Sequence, residues 1–174
     1  MRYRTISLAA ALCASTIACR EKTLSRLEPT IEEARPLTSA IRFSDQPRGD
    51  QLVRGFYELQ GGSWRWTAPQ FDVLLGAPAN AAGRGAKLFL EFNLPDPSIA
   101  SLKSITLTAK VNNVPLAPET YTTSGLHEYR REAPPAAFST PDVIVEFSVD
   151  KFLTPPGDGR NLALVVTAVA LEPK

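Results

Sequence analysis

The sequence predicts an all-β domain, and three observations support this prediction. In several short runs, hydrophobic residues occupy every second position, as expected for strands with one buried face. Clusters of Pro, Gly, Asn and Asp separate these runs, and most of the 15 prolines fall between them. No long run has helical periodicity. Together the observations favour a single antiparallel β-sandwich, jelly-roll-like, of about eight or nine strands.

From residue 87 onward the sequence predicts a tight turn, a central strand and three strands with clean alternation. Asn112-Asn113 predicts a tight hairpin turn, because Asn tolerates the positive φ angles that such turns need. Residues 162–171 are almost entirely apolar, which predicts a central strand covered on both faces. The runs with clean alternation are 87–94, 104–111 and 143–149.

Shorter runs predict further strands between residues 39 and 75. Ala68-Pro69-Gln70 is predicted to separate two of these strands, since proline cannot donate to a sheet ladder. Residues 77–85 are rich in Ala and Gly and predict a flexible loop. The shorter predicted strands lie at about 41–43, 52–57, 63–67 and 71–75.

The N-terminal segment is typical of a secretory signal peptide. Arg2 and Arg4 precede the 12-residue apolar run 6–17, which is too short to span a bilayer as a helix. The last four residues of the segment, Thr16-Ile17-Ala18-Cys19, resemble a bacterial lipobox. The resemblance implies that residues 1–18 are removed and that Cys19 is lipidated as the mature N-terminus. The alternative is an ordinary secreted protein cut after a small residue such as Ala18.

The sequence therefore predicts three segments. Residues 1–18 form the signal peptide, 19–38 a charge-rich and proline-interrupted tether, and 39–174 the β-sandwich. The residue after the lipobox cysteine is Arg20, whereas inner-membrane retention is commonly linked to Asp at this position. The resemblance thus implies a lipid-anchored protein of the outer membrane that faces the periplasm or the exterior.

The composition argues against nucleic acid as a partner and against disulfides as a source of stability. The full chain has 19 Lys and Arg against 18 Asp and Glu; without residues 1–18 the counts are 17 and 18, a formal charge of −1. Such a chain lacks the basic surface that nucleic acid binding requires. Its two cysteines are Cys13, in the signal peptide, and Cys19, so no disulfide is expected in the mature domain.

Both tryptophans lie in one segment, residues 55–67. If this segment is a strand, Trp64 and Trp66 point to one face and Arg65 to the other. Large aromatic side chains on strands are most often core residues, and Trp66 is assigned to the core on this basis. For Arg65 a structural contact with a carboxylate or a loop carbonyl is favoured over a ligand contact.

The same segment resembles a group of uncharacterised bacterial β-sandwich domains that occur as small lipoproteins or beside glycosyltransferase domains of cell-surface polysaccharide systems. Where the group has an acidic residue, this chain has Gln60, with Glu58 close by. Residues 88–95 and 111–116 also resemble the group, so that the likeness covers about residues 39–172. The matching signature residues are Gly55, Phe56, Tyr57, Arg65 and Trp66.

Trp64, Tyr57 and Arg65 are the candidate ligand-binding residues. The C–H face of a sugar ring stacks on Trp or Tyr, while Arg binds its hydroxyl groups. No catalytic residue, metal ligand or cofactor is predicted. His127 is the only histidine, no cysteine is free to act as a nucleophile, and no serine lies in a Gly-x-Ser-x-Gly motif. A glycosidase needs only two suitably spaced carboxylates, which composition cannot exclude.

The residue patterns leave three functions open. The favoured one is a non-catalytic envelope lipoprotein, an accessory or binding module for a cell-surface polysaccharide or its assembly machinery. The second is a structural subunit that binds another envelope protein through a sheet face or edge. The third is a glycoside hydrolase.

The lipobox resemblance predicts that Cys19→Ser releases the protein from membranes or leaves it unprocessed. Burial of acyl chains contributes about 0.8 kcal/mol per CH₂, so that several chains hold a protein firmly. Fractionation of cells and intact-mass measurement of the native protein test this prediction. An unmodified Cys19, or a mature N-terminus elsewhere, would rule it out.

Overall fold

The computed structural model describes residues 36–45 and 49–174. These residues belong to one compact unit, Arg35–Lys174. The predicted signal peptide, Cys19 and most of the predicted tether lie outside the described residues. Within the described part, no helix is long and apolar enough to cross a membrane.

The all-β prediction is confirmed, because ten strands account for most of the regular structure in the described part of the chain. Helices are short: α1 (Ala81–Arg84), α2 (Asp96–Leu102) and two 3-10 turns, Gly49–Gln51 and Pro135–Ala137. The strands are β1 (Ala40–Arg42), β2 (Leu52–Gln60), β3 (Trp64–Gly76), β4 (Ala86–Leu94), β5 (Ile105–Val111), β6 (Val114–Pro115), β7 (Glu119–Tyr121), β8 (Gly125–Ala133), β9 (Asp142–Val149) and β10 (Val165–Pro173).

All ten strands form one antiparallel sheet. Its main order is β6-β5-β9-β3-β10-β4-β8, while β1 pairs with β10, β2 with β3 and β7 with β5. The sheet encloses a single hydrophobic cluster, to which both halves contribute. In β9 the buried Val143, Val145, Phe147 and Val149 alternate with residues that are more exposed. The largest fully buried side chains include Tyr129, Phe43, Phe71, Phe92 and Phe147.

The 13-residue strand β3 joins the two halves of the sheet. Near its start, Arg65 and Trp66 pair with β10, and from Gln70 onward it pairs with β9 instead. Pro69 lies between these two pairings, where its missing N–H interrupts neither ladder. The prediction that residues 68–70 separate two strands is therefore wrong: the proline marks a change of partner within one strand.

The β5–β6 hairpin contains the tight turn that the sequence predicts. Asn112 and Asn113 have φ angles of 44° and 67°, and the flanking residues Val111 and Val114 are paired. This is the tight turn predicted from the two asparagines. Residues 77–85, predicted to form a flexible loop, instead include the single-turn helix α1.

The residues before β1 are fastened to the end of β3. Gly76 donates its N–H to the Thr38 carbonyl at 3.0 Å. The fully buried Gln51 donates through Nε2 to the carbonyls of Thr38 and Leu74, at 3.1 and 2.7 Å. A buried amide with several partners is a strong positional restraint, because leaving it unpaired would be costly. The chain thus enters the fold beside the C-terminal end of β3.

Side chains bring the two ends of the sheet together. Tyr129 of β8 donates its hydroxyl to the Ala117 carbonyl at 2.7 Å, and Arg131 donates Nε to the same oxygen at 3.0 Å. Arg131 also forms an ion pair of 2.7 Å with Glu119 of β7. Since β7 pairs with β5 near the opposite end of the strand order, these contacts nearly close the sheet.

Gly55→Ala is expected to destabilise the fold by about 3 kcal/mol or more, since it combines steric and backbone strain. Gly55 has φ +76°, and a Cβ there would clash with the Gln70 carbonyl and lie 2.7 Å from the Phe71 Cα. Gly62→Ala is the matched control, because Gly62 has φ +66° but open space around it; only about 1–2 kcal/mol is expected. Urea unfolding measures both, and equal losses would contradict the steric argument.

Alkaline stability should depend on Tyr129. Burial raises the pKa of Tyr129 from 10.0 to about 12. Because the phenol ionises less readily in the fold than in the unfolded chain, its stabilisation is fully present below pH 10 and is lost as the pH rises towards 12. Urea midpoints measured across this window should fall more steeply for the wild type than for Tyr129→Phe. Parallel slopes would contradict this assignment.

Candidate functional site

The tryptophans lie on the outer face of β3. Alternation along the strand places Trp64 and Trp66 opposite to Thr67 and Phe71, which are buried. Both tryptophans are half-buried. Trp66 therefore lies outside the set of buried core residues, and its assignment to the core stays a prediction that only mutation can test. Trp64 packs beside the turn between β2 and β3. Its indole Nε1 lies 3.2 Å from where a Cβ atom would stand if Gly61 had a side chain.

Arg65 points to the opposite face and covers one end of the core. Its Nη1 donates to the Tyr57 carbonyl at 2.7 Å, and its guanidinium carbon lies 5.7 Å from the ring centroid of the fully buried Phe43. The accepting carbonyl belongs to strand β2, whereas the sequence favoured a carboxylate or a loop carbonyl as the partner of Arg65. Its buried Nε has no hydrogen-bond partner among the described residues. The structure therefore separates Arg65 from Trp64, although the two are adjacent in sequence.

Tyr57 connects β2 to the loop that precedes β10. Its hydroxyl donates to the Asn161 carbonyl at 3.2 Å, and the Arg160 guanidinium carbon lies 5.4 Å from its ring centroid. Arg160 is held by Asp158 through two hydrogen bonds, of 2.5 and 2.7 Å, which lower the pKa of Asp158. The aromatic ring is thus partly covered by a cation, and the hydroxyl already has a partner.

A groove of about 260 Å³ lies on the outer face of strands β2, β3, β9 and β5. We call it the outer groove. Strand register explains its composition, because side chains of paired residues stand side by side on one face. One row consists of Gln70, Ser148 and Thr108, and the next of Arg54, Asp72, Glu146 and Lys110. All of these residues except Asp72 line the groove.

The row of uncharged residues contains hydroxyl and amide groups. The hydroxyls of Thr108 and Ser148 are 2.6 Å apart, and the Thr108 hydroxyl is also 3.2 Å from the Ser148 carbonyl. The Gln70 side chain is exposed, so its amide can donate and accept. These groups project from rigid, paired strands rather than from loops. They can form hydrogen bonds with a ligand without first having to be ordered.

The charged row is internally compensated. Arg54 forms an ion pair and two hydrogen bonds with Asp72, which raises the pKa of Arg54. Asp72 itself is only 7% exposed. Glu146 lies between Asp72 and Lys110 in the register. The row therefore carries two positive and two negative charges, with the carboxylates in its middle.

Asp72 and Glu146 are a carboxylate pair beside the outer groove that a glycosidase could use. They are direct register partners on adjacent strands, and such neighbours have Cβ atoms about 5 Å apart. Asp72 is already held in an ion pair with Arg54, however, whereas a general acid must carry a proton that it can donate. This pair gives the hydrolase alternative a specific location.

No group of three or more His, Asp, Glu or Cys residues that could hold a metal ion occurs in the described part of the chain. Sequence-based reasoning missed the outer groove for a physical reason. Its residues are far apart in sequence: Thr108 and Ser148 come together only through the pairing of β5 with β9. The available signal was the row of polar residues at alternate positions of these strands, which is equally typical of a plain solvated face.

Comparison with known proteins adds little to this geometry. No protein-family model and no curated protein matches the chain. Among solved structures, the chain is similar to one described as "CBM4 structure and function", with 12% identity over 78% of this chain and 85% of that chain. The TM-score is 0.35, and a likeness this loose carries no argument about function.

Proposed function

We propose that this chain is a non-catalytic binding module of the bacterial cell envelope that recognises a polysaccharide in its outer groove. The observation that carries the proposal is the pair of polar rows across strands β2, β3, β9 and β5. Rigid strands present amide, hydroxyl and charged groups in an open groove, and such groups match the hydroxyls of a sugar chain. A groove that is open at the surface suits an extended polymer.

The aromatic residues support the same ligand class. Trp64 and Trp66 lie on the face of β3 that also presents Gln70 and Asp72, so an extended ligand could contact both parts of the strand. Half-buried indoles offer an apolar surface that stacks on the C–H face of a sugar ring. Tyr57 and Arg65 contribute less to this proposal, since each already has a partner within the fold.

The proposed location is the cell envelope, with a lipid anchor at Cys19 in the outer membrane. The signal-peptide anatomy and the lipobox resemblance of residues 16–19 support it. A module held at the membrane needs only modest affinity, because its ligand is concentrated nearby.

Polysaccharide binding should be detectable with the purified full chain by affinity electrophoresis and calorimetry. Affinities from micromolar to millimolar are expected, about −8 to −4 kcal/mol. Gln70→Ala and Thr108→Val should each weaken binding about three- to tenfold, because each removes one or two hydrogen bonds. Trp64→Ala should weaken it as well, through lost stacking. Thr122→Val, an exposed site outside the groove, is the matched control and should bind as the wild type does.

The same assay separates the alternative functions. Release of reducing ends that is lost in Asp72→Asn or Glu146→Gln would replace the proposal with a glycoside hydrolase. Failure to bind any polysaccharide, together with specific capture of one envelope protein, would instead favour a structural subunit. Equal binding by the wild type and Gln70→Ala would place the ligand elsewhere.

A further inference from the structure

A second depression, of about 210 Å³, adjoins the outer groove. We call it the Ile144 pocket. Glu146 lines both depressions, whereas Ser148 lines the outer groove and Ile144 the Ile144 pocket. These three residues alternate along β9, so their side chains share one face of the strand. The two depressions therefore follow each other along β9, with Glu146 between them.

The Ile144 pocket has exposed apolar walls. Val53 is 53% exposed and Ile144 is 44% exposed, and they are two of the four large hydrophobic side chains that are exposed in the described part of the chain. A ligand that covers these side chains removes apolar surface from water, which is favourable. The C–H face of a sugar ring provides an apolar surface of this kind.

Polar groups stand beside the apolar walls. Asn113 is exposed, so its amide can donate and accept hydrogen bonds, and the Glu146 carboxylate can accept them. Asn112 already has partners: its Nδ2 donates to the Ala137 carbonyl and its Oδ1 accepts the Ile144 N–H, both at 2.9 Å. These bonds attach the turn that carries Asn113 to β9. Apolar walls with a few fixed polar groups are typical of a small-ligand site.

The spacing of the two depressions determines which ligands can reach both. Ser148 and Ile144 are four residues apart on β9, about 13 Å along the strand. This distance exceeds one sugar ring but is covered by an oligosaccharide of a few units. The Arg54–Asp72 ion pair lies at the boundary, since Arg54 lines the outer groove and Asp72 the Ile144 pocket. A sugar chain that crosses this boundary can form hydrogen bonds there through its hydroxyl groups.

We propose that the Ile144 pocket is a second sugar subsite and that the polysaccharide runs along β9, with one stretch in the outer groove and the next in the Ile144 pocket. This inference rests on the proposed polysaccharide binding and specifies the direction and the minimum length of the ligand. The outer groove holds the ligand through hydrogen bonds to its row of uncharged residues. The Ile144 pocket adds apolar contact with Val53 and Ile144. An oligosaccharide that fills both gains affinity, because the second contact forms within the same complex.

The test is a length series with the purified full chain. Dextran, mannan and xylan are first compared by affinity electrophoresis. Oligosaccharides of the polymer that binds most tightly, from the disaccharide to the hexasaccharide, are then titrated by calorimetry. The affinity of the wild type should rise at least about tenfold with length and level off once the oligosaccharide spans about 13 Å.

Two variants remove contacts of the Ile144 pocket. Ile144→Ala truncates an apolar wall, and Asn113→Gly removes the amide while keeping a residue suited to the φ angle of 67°. Each should weaken binding of the hexasaccharide about three- to tenfold. Binding of the disaccharide, which occupies the outer groove, should change by no more than about twofold. Gln70→Ala should weaken binding at every length.

Leu126→Ala is the matched control, because it truncates an exposed hydrophobic side chain of β8 outside both depressions; it should bind every length as the wild type does. An affinity that does not rise beyond the disaccharide, or that rises equally in Ile144→Ala and Asn113→Gly, would overturn the inference and leave the proposed function standing. Specific capture of an envelope protein that is lost in Ile144→Ala, with oligosaccharide binding unchanged, would also overturn it. Failure of every polymer to bind would refute the proposed function, and the inference with it.

Discussion

The rest of the structure depends on the backbone pairing of strand β3. This strand bonds β2 along one edge, and along the other it bonds first β10 and then β9. It is therefore the strand of the described chain that joins both halves of the sheet. Without the change of partner near Pro69, β9 and β10 would not belong to one sheet through β3.

The two faces of β3 separate the core from the proposed binding groove. Thr67, Phe71 and Val73 are buried, while Gln70 on the other face lines the outer groove. A shift of one residue in register would exchange these two sets. Gly55 helps to prevent such a shift, because β2 approaches the backbone of Gln70 and Phe71 so closely that only glycine fits. The arrangement of side chains in the outer groove thus relies on a backbone contact beneath it.

Local patterns made the fold class predictable, whereas the site required long-range pairing. Alternation identified β4, β5 and β9, and two asparagines identified a turn, since both signals lie within a few residues. Pro69 led to the wrong prediction of a strand break. Whether a proline interrupts a strand depends on which strand pairs with it at that point, and the local sequence does not show this pairing. The residues of the outer groove come from several strands that are far apart in sequence, so the sequence pointed instead to the aromatic segment 55–67. Within that segment, alternation along a strand was enough to predict that Trp64 and Arg65 lie on opposite faces of β3.

If the proposed lipid anchor at Cys19 exists, the attachment of Thr38 beside Gly76 sets the point at which the domain is held. Trp64 lies at the opposite end of the 13-residue β3, up to about 40 Å away along the strand. A tether that reaches the fold at Thr38 would leave the turn between β2 and β3, next to Trp64, at the end of the domain farthest from the tether. The polar rows run across the strands, so with β3 upright they lie parallel to the membrane surface. In that orientation, a polymer lying along the membrane would run parallel to the polar rows. A polymer extending away from the membrane would cross the rows at one point.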